Sequence, residues 1–356
     1  MFLIVLFSFL LLAGMAVSQT VDLANARQIL STVTMLCLAY IMVDVGLEFT
    51  VDKSKPKAFA WDFCVALSAA VLPALLWIGY FMFFFHPSWN NVLLAGLSTA
   101  PTSAGVLFSM LLAAGLGTTW VFQKARVLAV FDDLATILLL IPVQILLVGF
   151  KLELIVVVIM IIVLLLIAFY GLDQFHWPAG RGWLFLYSGI LVGLLTVFEH
   201  AAHIHFPVLL PAFALGCLLY KSHTQSPRRW EAMFDQCLKG LFMFLVGCSL
   251  PKVDFAGLAP ALVIAHVIAL TILSNIGKCF PMLCYRKQAG FKDRMALSIA
   301  MFPRGEVGAG VLLIAISFGF TGPVVSLAVL SLALNLLLTG IFVTRVNDLL
   351  KKDLTI

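Results

Sequence analysis

Two adjacent carboxylates stand inside an apolar stretch, in the run Val130-Phe131-Asp132-Asp133-Leu134-Ala135. Placing such a charge at the centre of a membrane span costs about 2.5–3.5 kcal/mol on insertion scales, so an acid there marks a functional site by default. Two neighbouring acids titrate as a coupled pair, which suits a site that alternates between holding protons and holding a metal cation. Asp133 is the expected ligand for such a cation. The structural reading, one acid protonated and both hydrogen-bonded to neighbours, seldom needs two acids side by side. A single cation, Lys278, interrupts another apolar stretch eight residues before Arg286, while Asp132 lies six residues after Arg126. At 1.5 Å per residue both charges lie roughly 10 Å from the same face, which allows a salt bridge. Snorkelling of Lys278 to the interface would need to span two turns, near the limit of its reach.

Two further apolar segments carry proline within polar surroundings: Ser98-Thr99-Ala100-Pro101-Thr102-Ser103 and Phe302-Pro303-Arg304-Gly305-Glu306. Proline removes a backbone donor and clashes with the preceding turn, so each run predicts a break at membrane depth. Broken backbone is tolerated there only where it faces protein or a water-filled cavity. Thr99 and Thr102 supply hydroxyls and freed carbonyls, and hard cations prefer oxygen, so Asp133 with Thr102 forms a candidate partial shell for sodium. Arg304 and Glu306 are expected either to neutralise each other or to stabilise the ends of crossing helices. A structural or gating role is favoured over ion ligation. Pro101 and Pro303 are 202 positions apart, as are Asp133 and Asn335. Interrupted segments at matching places in two inverted halves point to a transporter site.

These residues need many apolar segments to position them. The 356-residue chain is 63% hydrophobic and only 11% charged, far from the about 25% charge of soluble domains. Apolar runs predict twelve spans, at 2–17, 27–50, 59–85, 91–116, 127–149, 153–171, 182–201, 206–220, 233–250, 256–284, 295–317 and 321–344. Of the 22 Lys and Arg, sixteen fall on one set of alternate loops and the tail. Three (Arg27, Lys151, Lys252) fall on the other set, and Lys239, Lys278 and Arg304 lie inside segments. The excess of cations places both termini in the cytoplasm. Residues 1–18 also fit a signal peptide, with Ala16 and Ser18 before Gln19, but no basic residue precedes the apolar run, which favours an uncleaved first helix. The tail leaves no room for a nucleotide-binding domain, and nothing implies a cofactor or a nucleic acid partner.

Weaker signals have plainer readings. Asp44 and Glu48, one turn apart, read as interfacial charges or as part of a cytoplasmic cation funnel. Lys239 and Asp235 are spaced to pair on one helix. His200, His203 and His205 could bind a metal, though a solvated loop is the simpler reading. His266 reads as a hydrogen-bonded packing residue. The seven cysteines read as buried small hydrophobes rather than redox pairs.

The chain resembles the monovalent cation/proton antiporter superfamily, specifically bacterial-type sodium/proton antiporters. The resemblance rests on Gly46-Leu47-Glu48, Thr99-Ala100-Pro101-Thr102, Phe131-Asp132-Asp133, Lys278 and Pro303-Arg304-Gly305-Glu306-Val307-Gly308, and it covers nearly the whole chain. It implies that Asp133 is the essential ion-binding carboxylate, that Asp132 pairs with Lys278, and that Thr102 lies where two broken helices cross. It also implies a homodimer, in which a core of the third-to-fifth and tenth-to-twelfth segments moves as an elevator against a panel. The Asp-Asp-Lys set resembles electrogenic members, which exchange two protons for one sodium; electroneutral members usually carry Asn before the second Asp. Many relatives carry a further N-terminal helix, for which no counterpart is expected here.

The expected protein is therefore an all-α polytopic membrane protein with inverted repeats and broken, crossing fourth and eleventh segments. Its parts are residues 1–58 and 182–255 (dimerisation panel), 59–150 (core repeat one), 151–181 (linker helix) and 256–356 (core repeat two). Its expected activity is exchange of Na⁺, Li⁺ or K⁺ for H⁺ across a bacterial inner membrane. The alternative is a sodium-coupled symporter of an organic solute on a similar fold. An intramembrane enzyme using Asp132 and Asp133 is disfavoured, because adjacent residues on a helix point about 100° apart and cannot flank one substrate. A metal sensor built on the three histidines is the remaining reading.

Overall fold

The computed structural model describes residues 2–21, 26–47, 56–103, 111, 115–148, 180–202, 208–219, 229–249, 257, 259–317, 319–320 and 322–351, and every regular element among them is an α-helix. In chain order these are α1 (Phe2–Thr20), α2 (Arg27–Leu47), α3 (Pro56–Phe84), α4 (Trp89–Leu97), α5 (Trp120–Val148), α6 (Arg181–Ala202) and α7 (Leu209–Leu219). They continue with α8 (Arg229–Cys248), α9 (Pro260–Gly277), α10 (Pro281–Cys284), α11 (Phe291–Ala300), α12 (Glu306–Ser317) and α13 (Pro323–Lys351). The predicted sixth segment, Glu48, His203 and His205 lie outside the described residues. The stretches Lys57–Phe84, Pro260–Cys284 and Pro323–Leu350 are long and apolar enough to cross a membrane by length and composition. On α9 the isoleucines at 264, 268, 272 and 276 form an exposed stripe at helical spacing. In water that stripe would be an interaction patch; in a polytopic membrane protein it faces lipid.

The tenth predicted segment is not one continuous helix. α9 stops at Gly277, a turn follows over 278–280, and α10 begins at Pro281. Lys278 thus sits at the end of α9. The Pro281 ring accounts for the interruption, since it cannot donate to the preceding turn.

The 202-residue offset seen between single residues extends to whole helices. Shifted by that amount, α4 begins where α11 begins and ends one residue short of it, and α5 matches α13 to within one residue at each end. The backbone bonds that close the broken segments match too. Thr99 and Ala100 donate to the carbonyls of Gly96 and Leu97, both at 3.1 Å; Met301 and Phe302 donate to those of Ser298 and Ile299 at 3.0 and 3.1 Å. Each is the tighter i→i−3 bond that satisfies terminal carbonyls where a helix ends. Pro101 and Pro303 follow within a residue or two and prevent the helix from resuming.

Two packing groups surround these breaks. α3 packs on α4, α5 and α9, while α13 packs on α9 and α11. In the other group α1 packs on α8, and α2 packs on α6, α7 and α8; the groups meet where α13 packs on α1 and α12 packs on α8 and α2. Glycine permits the closest of these crossings. A Cβ on Gly14 would stand 2.1 Å from the Phe244 carbonyl oxygen, and one on Gly247 would stand 2.3 Å from that of Leu11. Gly46 and Gly216 play the same part between α2 and α7, with clashes of 2.3 and 2.2 Å. Small residues that let backbones approach drive helix association where no water can.

The cysteines depart from the expectation of uniform burial. Cys37, Cys217 and Cys248 are buried, but Cys64 and Cys237 are exposed. Their places fall on outward helix faces, where an apolar thiol is as acceptable against lipid as in a core.

Candidate ion-binding site

α5 begins with the Thr119 hydroxyl accepting the backbone N–H of Phe122 at 3.2 Å, a side-chain N-cap. Its early turns are fixed on α3 by Phe131, whose ring meets Phe59 and Phe63 edge-on with centroids 5.7 Å away in both cases. Asp132 and Asp133 follow, and both are completely buried. Lys278, also completely buried, forms an ion pair with Asp132 Oδ2. Two charges out of water are retained only when attraction and hydrogen bonding offset desolvation. Here the second donor is Thr102. Its hydroxyl lies 2.8 Å from Asp132 Oδ2 and 3.0 Å from the Met301 carbonyl oxygen, and shares its one proton between them. The other carboxylate oxygen, Asp132 Oδ1, accepts no hydrogen bond among the described residues.

Thr102 thus joins both broken segments. Beside it, the Ser103 N–H donates to the Pro303 carbonyl at 2.9 Å. A Cβ on Gly305 would lie 2.6 Å from Ser103 Oγ, and one on Gly308 would lie 2.5 Å from the Ser98 carbonyl oxygen. The two breaks therefore touch through backbone. Asp132, Lys278 and Thr102 come together at this meeting point, with Asp133 next along α5. The structure puts the Thr102 hydroxyl on Asp132, with Asp133 at the next position of α5, about 100° further round the helix.

Arg304 is held by backbone carbonyls, while the side chain of Glu306, its other expected partner, lies outside the described residues. Arg304 Nη1 donates to the carbonyls of Met301 (2.9 Å) and Phe302 (2.8 Å), and its Nη2 to that of Ser274 (3.1 Å). A guanidinium at the end of α11 meets the orphan carbonyls and the negative end of the helix dipole. This is the alternative in which Arg304 stabilises a helix end. Ser98, Thr99, Ser274, Ser331 and Asn335 line a pocket with Arg304. Thr99 belongs to that pocket and donates to the Gly96 carbonyl at 2.8 Å.

Several polar partners were not singled out by spacing. Asn335 Nδ2 donates to Asn275 Oδ1 at 3.0 Å, tying α13 to the last turn of α9 just before Lys278. Asp62 on α3 is buried and takes Lys124 on both carboxylate oxygens (2.9 and 3.1 Å) and the Tyr285 hydroxyl on one (2.7 Å). An acid seven residues into an apolar span was the available signal. Burial, reinforced by that hydrogen bond and by the Asp62 charge, pushes the Tyr285 phenol far above its ordinary range.

A second charge cluster holds α2, α6 and α8 together. Lys239 lies 3.0 Å from Asp235, the expected pair one turn apart, and 3.5 Å from Asp44. Arg181 bonds Asp44 and lies 3.8 Å from Asp235. Asp44 is therefore a network member, not a solvated interfacial charge. Arg181, counted among the loop cations, is the first residue of α6. His266 accepts or donates a 2.7 Å hydrogen bond with the Tyr80 hydroxyl and packs against Phe84 and Phe85, which makes it a packing residue. His200 lies on α6, its side chain outside the description.

A family model described as sodium/hydrogen exchanger, transmembrane, matches residues 3–348. Among solved structures, the chain is similar to the sodium proton antiporter MjNhaP1 from Methanocaldococcus jannaschii at pH 8. The TM-score is 0.65 at 14% identity, over 96% of this chain and 91% of that one. At that identity the likeness speaks for the fold. The search of curated proteins found no match.

Proposed function

The chain belongs to the sodium/hydrogen exchanger family and is a sodium/proton antiporter; from that premise we propose that Asp133 is the carboxylate at which sodium and protons compete. The observation that carries this reading is the fully buried Asp132–Lys278 pair, with Thr102 bridging two touching helix breaks and Asp133 adjacent on α5. Asp132 is engaged by Lys278 and Thr102, and Asp133, fully buried at the next position of α5, is the carboxylate assigned to the exchange. Sodium bound near Asp133 disfavours its protonated form, and a proton on Asp133 removes the charge that attracts sodium. One site occupied in turn gives exchange without simultaneous binding.

The same set supports electrogenic exchange. Sodium arriving beside Asp132 competes with the Lys278 ammonium, so that a second proton leaves from the Asp132–Lys278 pair. Two protons for one sodium moves one net charge, worth about 2.3 kcal/mol per 100 mV. Alternating access follows if α3–α5 and α9–α13 move as a core against α1, α2 and α6–α8, whose glycine crossings make a tight panel. The panel is also the proposed dimer interface. The cation asymmetry of the loops supports cytoplasmic termini and a bacterial inner membrane location. No resident cofactor is proposed; Na⁺ and H⁺ are the substrates.

The test is proton flux in inside-out vesicles carrying a pH-gradient dye, with Na⁺, Li⁺ or K⁺ added in turn. Cation-dependent collapse of the gradient is expected in the wild type and not in Asp133→Asn. Collapse of equal size in the mutant would remove Asp133 from the role. Repeating the assay with an imposed potassium diffusion potential tests electrogenicity: the initial rate rises with the potential if net charge moves and stays flat if it does not.

A further inference from the structure

The pocket beside Arg304 is not used by the exchange mechanism, yet two of its lining residues carry buried polar atoms without hydrogen-bond partners among the described residues, Arg304 Nε and Asn335 Oδ1. Their residues are 2% and 1% exposed. Leaving such atoms unsatisfied is costly, most of all for a charged group.

The hydroxyls around them narrow what can satisfy both. Ser98 donates to the Ala95 carbonyl, Thr99 to that of Gly96 and Ser274 to that of Thr271. Thr271 donates to the Val267 carbonyl, so the 2.9 Å contact between Thr271 and Ser331 takes its proton from Ser331. Every one of these hydroxyl protons is committed, and each oxygen offers the pocket only lone pairs. The pocket therefore presents several acceptors against few donors, the Arg304 Nε–H and the second N–H of Asn335 Nδ2. An anion would meet the lone pairs of the committed hydroxyls, and a metal cation would meet the guanidinium charge. A molecule that accepts once and donates twice fits. There is room for about one such molecule.

We propose that this pocket is an ordered-water site, in which the water accepts from Arg304 Nε and donates to Asn335 Oδ1 and to one of the lining hydroxyl oxygens. Its consequence reaches the ion pair. Arg304 and Thr102 meet on the same Met301 carbonyl, and Thr102 continues to Asp132. The water thus ties α13 to the break that positions Thr102, and it does so on the side where cations are repelled.

Radiolytic hydroxyl-radical labelling of the full chain in nanodiscs tests this, because radicals form at bound water and oxidise the side chains beside it. Leu332 lines the pocket, and Leu336, one turn further along α13, does not; both are buried. Leu332 should be oxidised severalfold faster than Leu336, and Asn335→Leu should bring its rate down to that of Leu336. Equal rates in the wild type would show a dry pocket and overturn the proposal, whatever the variant does. An anomalous peak at Arg304 in crystals grown with bromide or rubidium would overturn it in the other direction, by assigning the site to an ion.

Discussion

The two repeats build the same backbone around opposite chemistry. Where the first places Asp133, the second places Asn335; where the first places Thr102 after its proline, the second places Arg304. The breaks end in the same pair of i→i−3 bonds, and the flanking helices match to within a residue or so. On the first side a carboxylate pair and Lys278 give titratable charge. On the second, an amide and a guanidinium fixed on three carbonyls give charge that does not titrate. A duplicated scaffold therefore need not carry a duplicated site. In the proposed exchange, one half attracts the cation and the other sets the geometry of the meeting point.

The largest effect should separate the matched residues directly. Asp133→Asn reduces sodium-driven proton flux in proteoliposomes to background, whereas Asn335→Ala leaves flux measurable. If both variants fall to background, the two sides are not chemically distinct. Next comes stability. Lys278→Met leaves Asp132 buried without its ion partner and should cost about 3–5 kcal/mol, seen as a lowered Tm in detergent. Adding Asp132→Asn should recover most of that loss; no recovery would mean that Lys278 acts through something other than Asp132. Thr102→Val removes one hydrogen bond to a charged group and should cost about 1.5–3 kcal/mol, while Thr102→Ser should be close to wild type.

The smallest effect concerns the cluster on α2, α6 and α8. Lys239→Met leaves Arg181 within reach of both Asp44 and Asp235, so the loss should be about 1–2 kcal/mol, between exposed and buried ion pairs. Its apparent sodium affinity should match the wild type, and a shift there would join the cluster to the ion site.

The carboxylate pair, both breaks and the 202-residue offset were legible because they violate local rules: charge in apolar segments, proline in helices, and the same violation twice. Arg304 was legible as a buried charge, but its partners were not. It binds backbone carbonyls of Met301, Phe302 and Ser274, and carbonyls leave no mark in a residue pattern. The end of α9 was concealed because residues 256–284 read as one mainly apolar run despite Lys278, and hydropathy alone passes over Pro281. The Asp44–Arg181 contact spans 137 positions, so loop charge counting could only assign Arg181 to a face. The Thr102–Asp132 hydrogen bond was not legible either, because adjacent residues in a sequence look equivalent, whereas on a helix they point about 100° apart.

The most direct test of the central claim uses binding without transport. Purified protein in weakly buffered detergent solution receives a sodium addition, and released protons are read with a pH dye. The wild type should release protons on sodium addition, with potassium or choline as ionic-strength control, and Asp133→Asn should release markedly fewer at the same pH. Full release from folded Asp133→Asn would place the competition between sodium and protons at another residue.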